Sequence, residues 1–123
     1  MRIGRVTPDK EALVTLRMYG RAGQRHEIDF VLDTGYTEYL TLPPASIAAL
    51  GLPYVYSMPM YLADGTRIHV RVFDGVVLWR GRKRSVPVQE TAGDALLGMS
   101  LLYGSRLLLD VIDGGDAVVR SLP

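Results

Sequence analysis

A mostly-β fold, either a barrel or a sandwich, is predicted by three features of this 123-residue sequence. Apolar and polar side chains alternate with period two over many short stretches. Glycine and proline, 13 and 7 residues, punctuate those stretches at the close spacing that turns between short strands require. Only two short segments carry helical signals. The length suits one domain over residues 1–123, enough for one apolar core and too little for two.

Composition narrows the function classes. A hydrophobic fraction of 48% with 22% charged residues is that of a globular chain and excludes disordered or collagen-like readings. Fourteen basic and 13 acidic residues leave a net charge of +1, so no global field points to nucleic acid or to an anionic membrane. The absence of cysteine excludes disulfides, thiol nucleophiles and thiolate metal sites. His26 and His69 stand far apart without ligand spacing and read as surface or strand residues, so neither a metal nor another cofactor is expected. Residues 1–8 lack the apolar core of a secretory signal and no apolar run reaches membrane-spanning length, which makes a cytoplasmic location the expectation.

The elements follow in order. Ala12, Val14, Leu16 and Met18 alternate with Leu13, Thr15, Arg17 and Tyr19, predicting the first long strand. Gly20 to Gly23 turns the chain, and residues 27–33 return antiparallel with Ile28, Phe30 and Leu32 on one face and Asp29, Val31 and Asp33 on the other. Tyr39-Leu40-Thr41-Leu42 alternates again and stops at Pro43. Residues 43–51 form the best helix: proline suits its first turn, alanine its interior, and Gly51 with Pro53 its end. At about two turns it depends on packing Ile47 and Leu50 against a larger surface.

A strand over residues 54–62 places Tyr54, Tyr56, Met58, Met60 and Leu62 on one face. Ala63-Asp64-Gly65-Thr66 then predicts a tight turn, with Asp64 and Gly65 as a two-residue pair tolerant of positive φ, and Ile68, Val70 and Val72 form the return arm. The resulting hairpin is long enough for its polar tip to project from the body. Tyr54, Tyr56 and Tyr61 read as strand packing in preference to a base-stacking surface. Asp74-Gly75 punctuates, residues 76–79 form a further strand, and residues 80–84 turn into residues 85–88. Arg80, Arg82, Lys83 and Arg84 at that turn read as a solvated face, with a salt-dependent nucleic-acid contact as the lesser reading. Ala95-Leu96-Leu97-Gly98-Met99 is apolar around a glycine, a mark of close backbone approach or a bend. Ser100 to Tyr103 suggests a helical turn ended by Gly104. Residues 106–112 and 117–120 close the chain as strands joined at Asp113-Gly114-Gly115-Asp116.

The stretch richest in chemistry is Phe30-Val31-Leu32-Asp33-Thr34-Gly35, where an apolar strand ends in a carboxylate. Such a group must be hydrogen-bonded, paired or partly protonated, because burying a lone anion costs several kcal/mol at least. Other catalytic schemes lack their parts. Gly98-Met99-Ser100 has no second glycine of a nucleophile elbow, neither histidine has a serine partner, and no Gly-Lys-Ser/Thr follows Gly20 or Gly23.

Asp33-Thr34-Gly35-Tyr36, the following Leu40-Thr41-Leu42-Pro43, the Asp64-Gly65 hairpin and Leu96-Leu97-Gly98 resemble the single-domain retropepsin-like aspartic proteases over nearly the whole chain. The small prokaryotic members, with an aromatic after the glycine, are the most similar. The resemblance implies a closed or partly closed β barrel with a flap hairpin over residues 60–68 and one or two short helices. It makes Asp33 the catalytic aspartate, Thr34 the residue that locks two active-site loops together, and Gly35 the point where the backbone turns beside the carboxylate. Leu96-Leu97-Gly98 becomes the element packed behind that loop. Tyr36, Leu62, Ala63, Asp64 and Gly65 become the groups that face the substrate, a peptide or protein.

The chemistry needs two carboxylates and the sequence holds one Asp-Thr-Gly, so a homodimer is implied, with no nucleic-acid or membrane partner. An alternative keeps the fold and the dimer but not efficient hydrolysis, a binding module in which the Tyr36 ring crowds the carboxylates.

Overall fold

The computed structural model describes residues 2–123. Along the chain run β1 (Arg2–Val6), β2 (Ala12–Tyr19), β3 (Arg25–Leu32), β4 (Leu40–Leu42), α1 (Pro44–Leu50), β5 (Tyr54–Tyr61), β6 (Arg67–Trp79), β7 (Arg82–Glu90), β8 (Leu96–Leu97), α2 (Met99–Leu102), β9 (Ser105–Leu109) and β10 (Asp116–Ser121). The strands form one sheet in the order β5-β6-β7-β4-β8-β3-β2-β1-β10-β9, and a further pairing of β2 with β6 closes part of it into a ring. The mostly-β, partly closed barrel expected from the sequence is therefore present.

The alternation in β2 and β3 does what periodicity dictates. These strands pair antiparallel from Leu13 opposite Val31 to Tyr19 opposite Arg25, and Val14, Met18 and Phe30 are fully buried. Leu40, Leu42, Val88 and Leu97 join them in the barrel core, and α1 closes one side with Ile47 and Leu50 buried against it. Gly51 ends that helix in the left-handed region, φ 63°, with its N–H returned to the helix. Arg17 to Glu27 and Arg71 to Glu90 form exposed ion pairs on the outside of the sheet.

Several local features differ from the expectations, among them the last strand but one, which ends at Leu109 instead of residue 112. Strand β1 has no strong period-two signal; it is held by pairing with β2 on one side and β10 on the other. Asp74-Gly75 does not break the chain, because β6 pairs with β7 without interruption from Val72 opposite Gln89 to Trp79 opposite Arg82. Gly75 serves close packing instead: a Cβ there would lie 2.6 Å from Val88 Cγ2 and 3.0 Å from Met18 Cε.

The remaining two corrections concern turns. At the β5–β6 tip only Gly65 has positive φ. The N–H of Gly65 bonds the Leu62 carbonyl and the N–H of Leu62 the Thr66 carbonyl, while Asp64 Oδ1 accepts the Thr66 N–H at 2.8 Å. Asp64 thus keeps a regular turn backbone and uses its side chain as the cap. The true two-residue turn is Arg80-Gly81, both at positive φ, so Arg82, Lys83 and Arg84 belong to β7 and not to a loop. There the Lys83 ammonium lies over the Tyr19 ring and the Arg84 guanidinium over the Tyr39 ring.

Strand β5 is the edge of the sheet, and all its residues are exposed except Met58. Tyr54 meets Phe73 edge-on at 5.8 Å, but Tyr56 and Tyr61 are open to solvent rather than packed, because the hairpin stands away from the barrel. No helix among the described residues is long and apolar enough to cross a membrane.

Candidate active site

Asp33 stands one residue beyond β3, and short β8 determines where. Strand β8 pairs parallel with β3, Val31 opposite Leu96 and Leu32 opposite Leu97, and antiparallel with β4 through Leu40 opposite Leu97. The Asp33 N–H continues this ladder by bonding the Leu97 carbonyl at 3.0 Å. An apolar strand and the Leu96-Leu97-Gly98 segment thereby lock the backbone at the point where the carboxylate emerges.

The side chain of Asp33 is half-buried, while Thr34 and Gly35 are exposed. Its Oδ1 accepts the Gly35 N–H at 2.8 Å, and its carbonyl accepts the Tyr36 N–H at 3.1 Å. The carboxylate is thus oriented by its own loop, with lone pairs still available to a water or a second carboxyl. The Thr34 hydroxyl has no partner among the described residues of its own chain.

Tyr36 turns back into the protein. Its hydroxyl donates to Gln89 Oε1 at 2.7 Å, and burial, followed by the charge of Glu38, pushes the phenol above its ordinary value of 10.0. The neutral, donating form is therefore the one present across the acid and neutral range. The ring lies on Gly98, where a Cβ would come within 2.5 Å of Tyr36 Cδ2 and 2.2 Å of the Glu38 carbonyl oxygen. Backbone bonds from Gly98 to the Tyr39 carbonyl and from Met99 to the Tyr36 carbonyl tie the Asp33 loop to the start of α2.

Leu62, Ala63, Asp64 and Gly65 are all exposed at the hairpin tip, away from any contact with Asp33 in the chain's own hydrogen-bond network. The Asp64 carboxyl is held below its ordinary value, first by its bond to the Thr66 side chain and then by the Thr66 N–H. Of the other carboxylates, Asp29 accepts the Thr15 hydroxyl and Asp110 is exposed. No group of three or more His, Cys, Asp or Glu side chains among the described residues is placed to hold a metal ion.

Two polar residues escaped sequence reasoning. Thr41 alternates with Leu40 and Leu42, which predicts exposure, yet it is buried. Its hydroxyl donates to the Asp94 carbonyl at 3.1 Å and accepts the Leu96 N–H at 2.7 Å, fastening the segment that enters β8. Gln89 is likewise buried. Its place opposite Val86 and Val88 in the alternation marks it as outward-facing, and only the cover supplied by Tyr36 and Met58 makes it an interior residue.

Concavities of about 390 and 400 Å³ open around Trp79, Arg17 and Val119 and among Arg80, Arg82, Lys83 and Ser121, and a smaller one of about 280 Å³ lies beside the Asp33 loop between Thr37, Tyr39, Met99 and Ser100. None of these has Asp33 in its lining.

No protein-family profile and no curated protein sequence matches the chain. Among solved structures, a retropepsin-like aspartic protease from Rickettsia conorii superposes with a TM-score of 0.58 at 16% identity, covering 100% of this chain and 91% of that one. With Asp33 at a strand end, backed by Leu97 and Gly98 and set in a partly closed barrel, the chain has the retropepsin-like aspartic protease fold.

Proposed function

We propose that the protein is an aspartic endopeptidase that works as a homodimer, each subunit supplying one Asp33. The observation that carries this reading is the Asp33 loop itself: a half-buried carboxylate aimed by the Gly35 N–H, with exposed Thr34 and Gly35 beside it, on a retropepsin-like barrel. One chain holds one such loop, so a second copy must complete the pair.

Two carboxyls held close cannot both ionise cheaply and share one proton. The ionised one takes a proton from water as its oxygen attacks the peptide carbonyl, and the protonated one donates to the carbonyl oxygen. Collapse of the tetrahedral intermediate passes a proton to the leaving nitrogen and regenerates the pair. The exposed β5–β6 hairpin, with Leu62, Ala63, Asp64 and Gly65 at its tip, serves as the flap that covers the peptide and excludes water. Tyr36 takes the part of a wall behind the site, since its hydroxyl is committed to Gln89. Nothing in the reaction calls for a cofactor, and a cytoplasmic location suits the cysteine-free chain.

The test is Asp33→Asn, assayed on a mixed peptide library from acidic to neutral pH. Loss of hydrolysis by about a hundredfold or more is expected, the scale of a missing general acid or base. Unchanged activity in the variant dismisses the mechanism, and absence of cleavage by the unaltered protein leaves the fold as a binding module.

A further inference from the structure

The buried amide of Gln89 joins two parts of the molecule that are distant in sequence. Its Oε1 accepts the Tyr36 hydroxyl at 2.7 Å, and its Nε2 donates to Met58 Sδ at 3.3 Å. A thioether sulfur can only accept, so Nε2 faces Met58, and the Tyr36 hydroxyl, able to donate or accept, donates to the Oε1 left facing it. Gln89 is only 6% exposed, and its backbone sits centrally, with Thr41 of β4 on one side and Val72 of β6 on the other. The amide is therefore a fixed post.

What it holds on each side differs in how it is packed. Tyr36 belongs to the Asp33 loop, through its N–H to the Asp33 carbonyl and its carbonyl to Met99. Met58 is the one residue of β5 that is not exposed, so it is the point at which that edge strand is seated on the barrel. The other β5 residues are exposed, and besides its ladder with β6 the strand is held by the edge-on contact of Tyr54 with Phe73 at its start.

We infer that Gln89 is a positioning residue that couples the β5–β6 hairpin to the Asp33 loop through Tyr36 and Met58. When the hairpin lifts, Met58 leaves the amide, the amide loses one of its two anchors, and the Tyr36 hydroxyl loses a fixed acceptor. When the hairpin is seated, the relay holds the loop that orients Asp33. The consequence for catalysis rests on the endopeptidase reading; the mechanical link does not.

The test uses the whole protein and the substitutions Met58→Leu and Tyr36→Phe, each of which nearly preserves volume while removing one member of the relay. The reporter is the Gly35 amide, whose N–H points at Asp33 Oδ1. Its chemical shift and its hydrogen exchange are followed beside those of the hairpin amides and of amides in β2 and β3. Met58→Leu, a change in the hairpin at a residue whose side-chain hydrogen bond goes to Gln89 and not to the Asp33 loop, is expected to shift the Gly35 resonance and speed its exchange. Tyr36→Phe is expected to speed exchange in the hairpin, with the β2 and β3 amides unchanged in both. Gly35 unmoved by Met58→Leu, or acceleration spread evenly through β2 and β3, overturns the coupling. If the protein cleaves peptides, Met58→Leu is also expected to lower kcat as well as raise KM, whereas a change in KM alone contradicts the coupling. Coupled amides in a protein that cleaves nothing would sink the endopeptidase reading and leave the relay standing.

Discussion

Asp33 owes its position to neighbours that carry no charge. The Leu97 carbonyl holds its N–H, the Gly35 N–H holds its carboxylate, and Gly98 leaves room for the Tyr36 ring behind the loop. Gly98 is the residue on which this arrangement is most exacting, because two of the three atoms a Cβ would strike belong to backbone and cannot swing aside. Gly98→Ala is expected to destabilise the fold by about 1–3 kcal/mol, the usual cost of forcing atoms into a filled site. Denaturant midpoints at unchanged m-value check it, and an unshifted midpoint would mean that the loop yields without cost. Of the candidate residues, Asp33, Thr34 and Gly35 were legible in the sequence because the motif is contiguous. Gln89 was not, because its burial comes from side chains 53 and 31 positions away.

At the scale of elements, the β5–β6 hairpin shows how a two-residue signal can be right about place and wrong about geometry. Asp64-Gly65 does reverse the chain, but through a capped turn in which Asp64 bonds Thr66 and only Gly65 adopts positive φ. That cap has a pH dependence with a definite sign. The Asp64 carboxyl is lowered below its ordinary 3.8, so its contribution is fully present above that value and is lost as the pH falls through the lower, folded value. Protection of the Thr66 amide from exchange is expected to persist at mildly acidic pH and to disappear only below the ordinary carboxylate range. Asp64→Ala is expected to remove that protection at every pH; protection that survives the substitution would assign the order of the tip to the β5–β6 ladder alone. Strand β6 teaches a related point, since Asp74-Gly75 looks like punctuation until Val88 and Met18 are seen to need the space a side chain would take.

For the whole molecule, the single Asp33-Thr34-Gly35 loop and the exposed apolar groups at the other edge of the sheet belong to one expectation. Leu107 packs partly against the core, whereas Leu108, Leu109, Val111 and Ile112 are 43%, 36%, 72% and 68% exposed, a run too apolar for a solvated edge. On the dimer reading this run lies against a second copy. Sedimentation is expected to give the mass of two chains, with specific hydrolytic activity that rises with protein concentration. Leu108→Glu combined with Val111→Glu is expected to yield single chains that retain the fold by circular dichroism but no longer cleave. Activity that stays constant across dilution through the dissociation range would contradict a site built from two subunits.

What the sequence determined by itself is local: the alternation that made β2, β3 and β5 strands, the proline and glycine that bound α1, the hairpin at Asp64-Gly65, and an Asp-Thr-Gly motif at a strand end. Each depends on residues within one or two turns of each other, so period and propensity suffice to read it. Only the tertiary structure decided that β8 would slot between β3 and β4, that β6 would run unbroken past Gly75 to close the ring with β2, and that Thr41 and Gln89 would be interior. Those outcomes depend on which surfaces far apart in the chain come to cover one another, and burial of that kind leaves no periodic trace along the sequence.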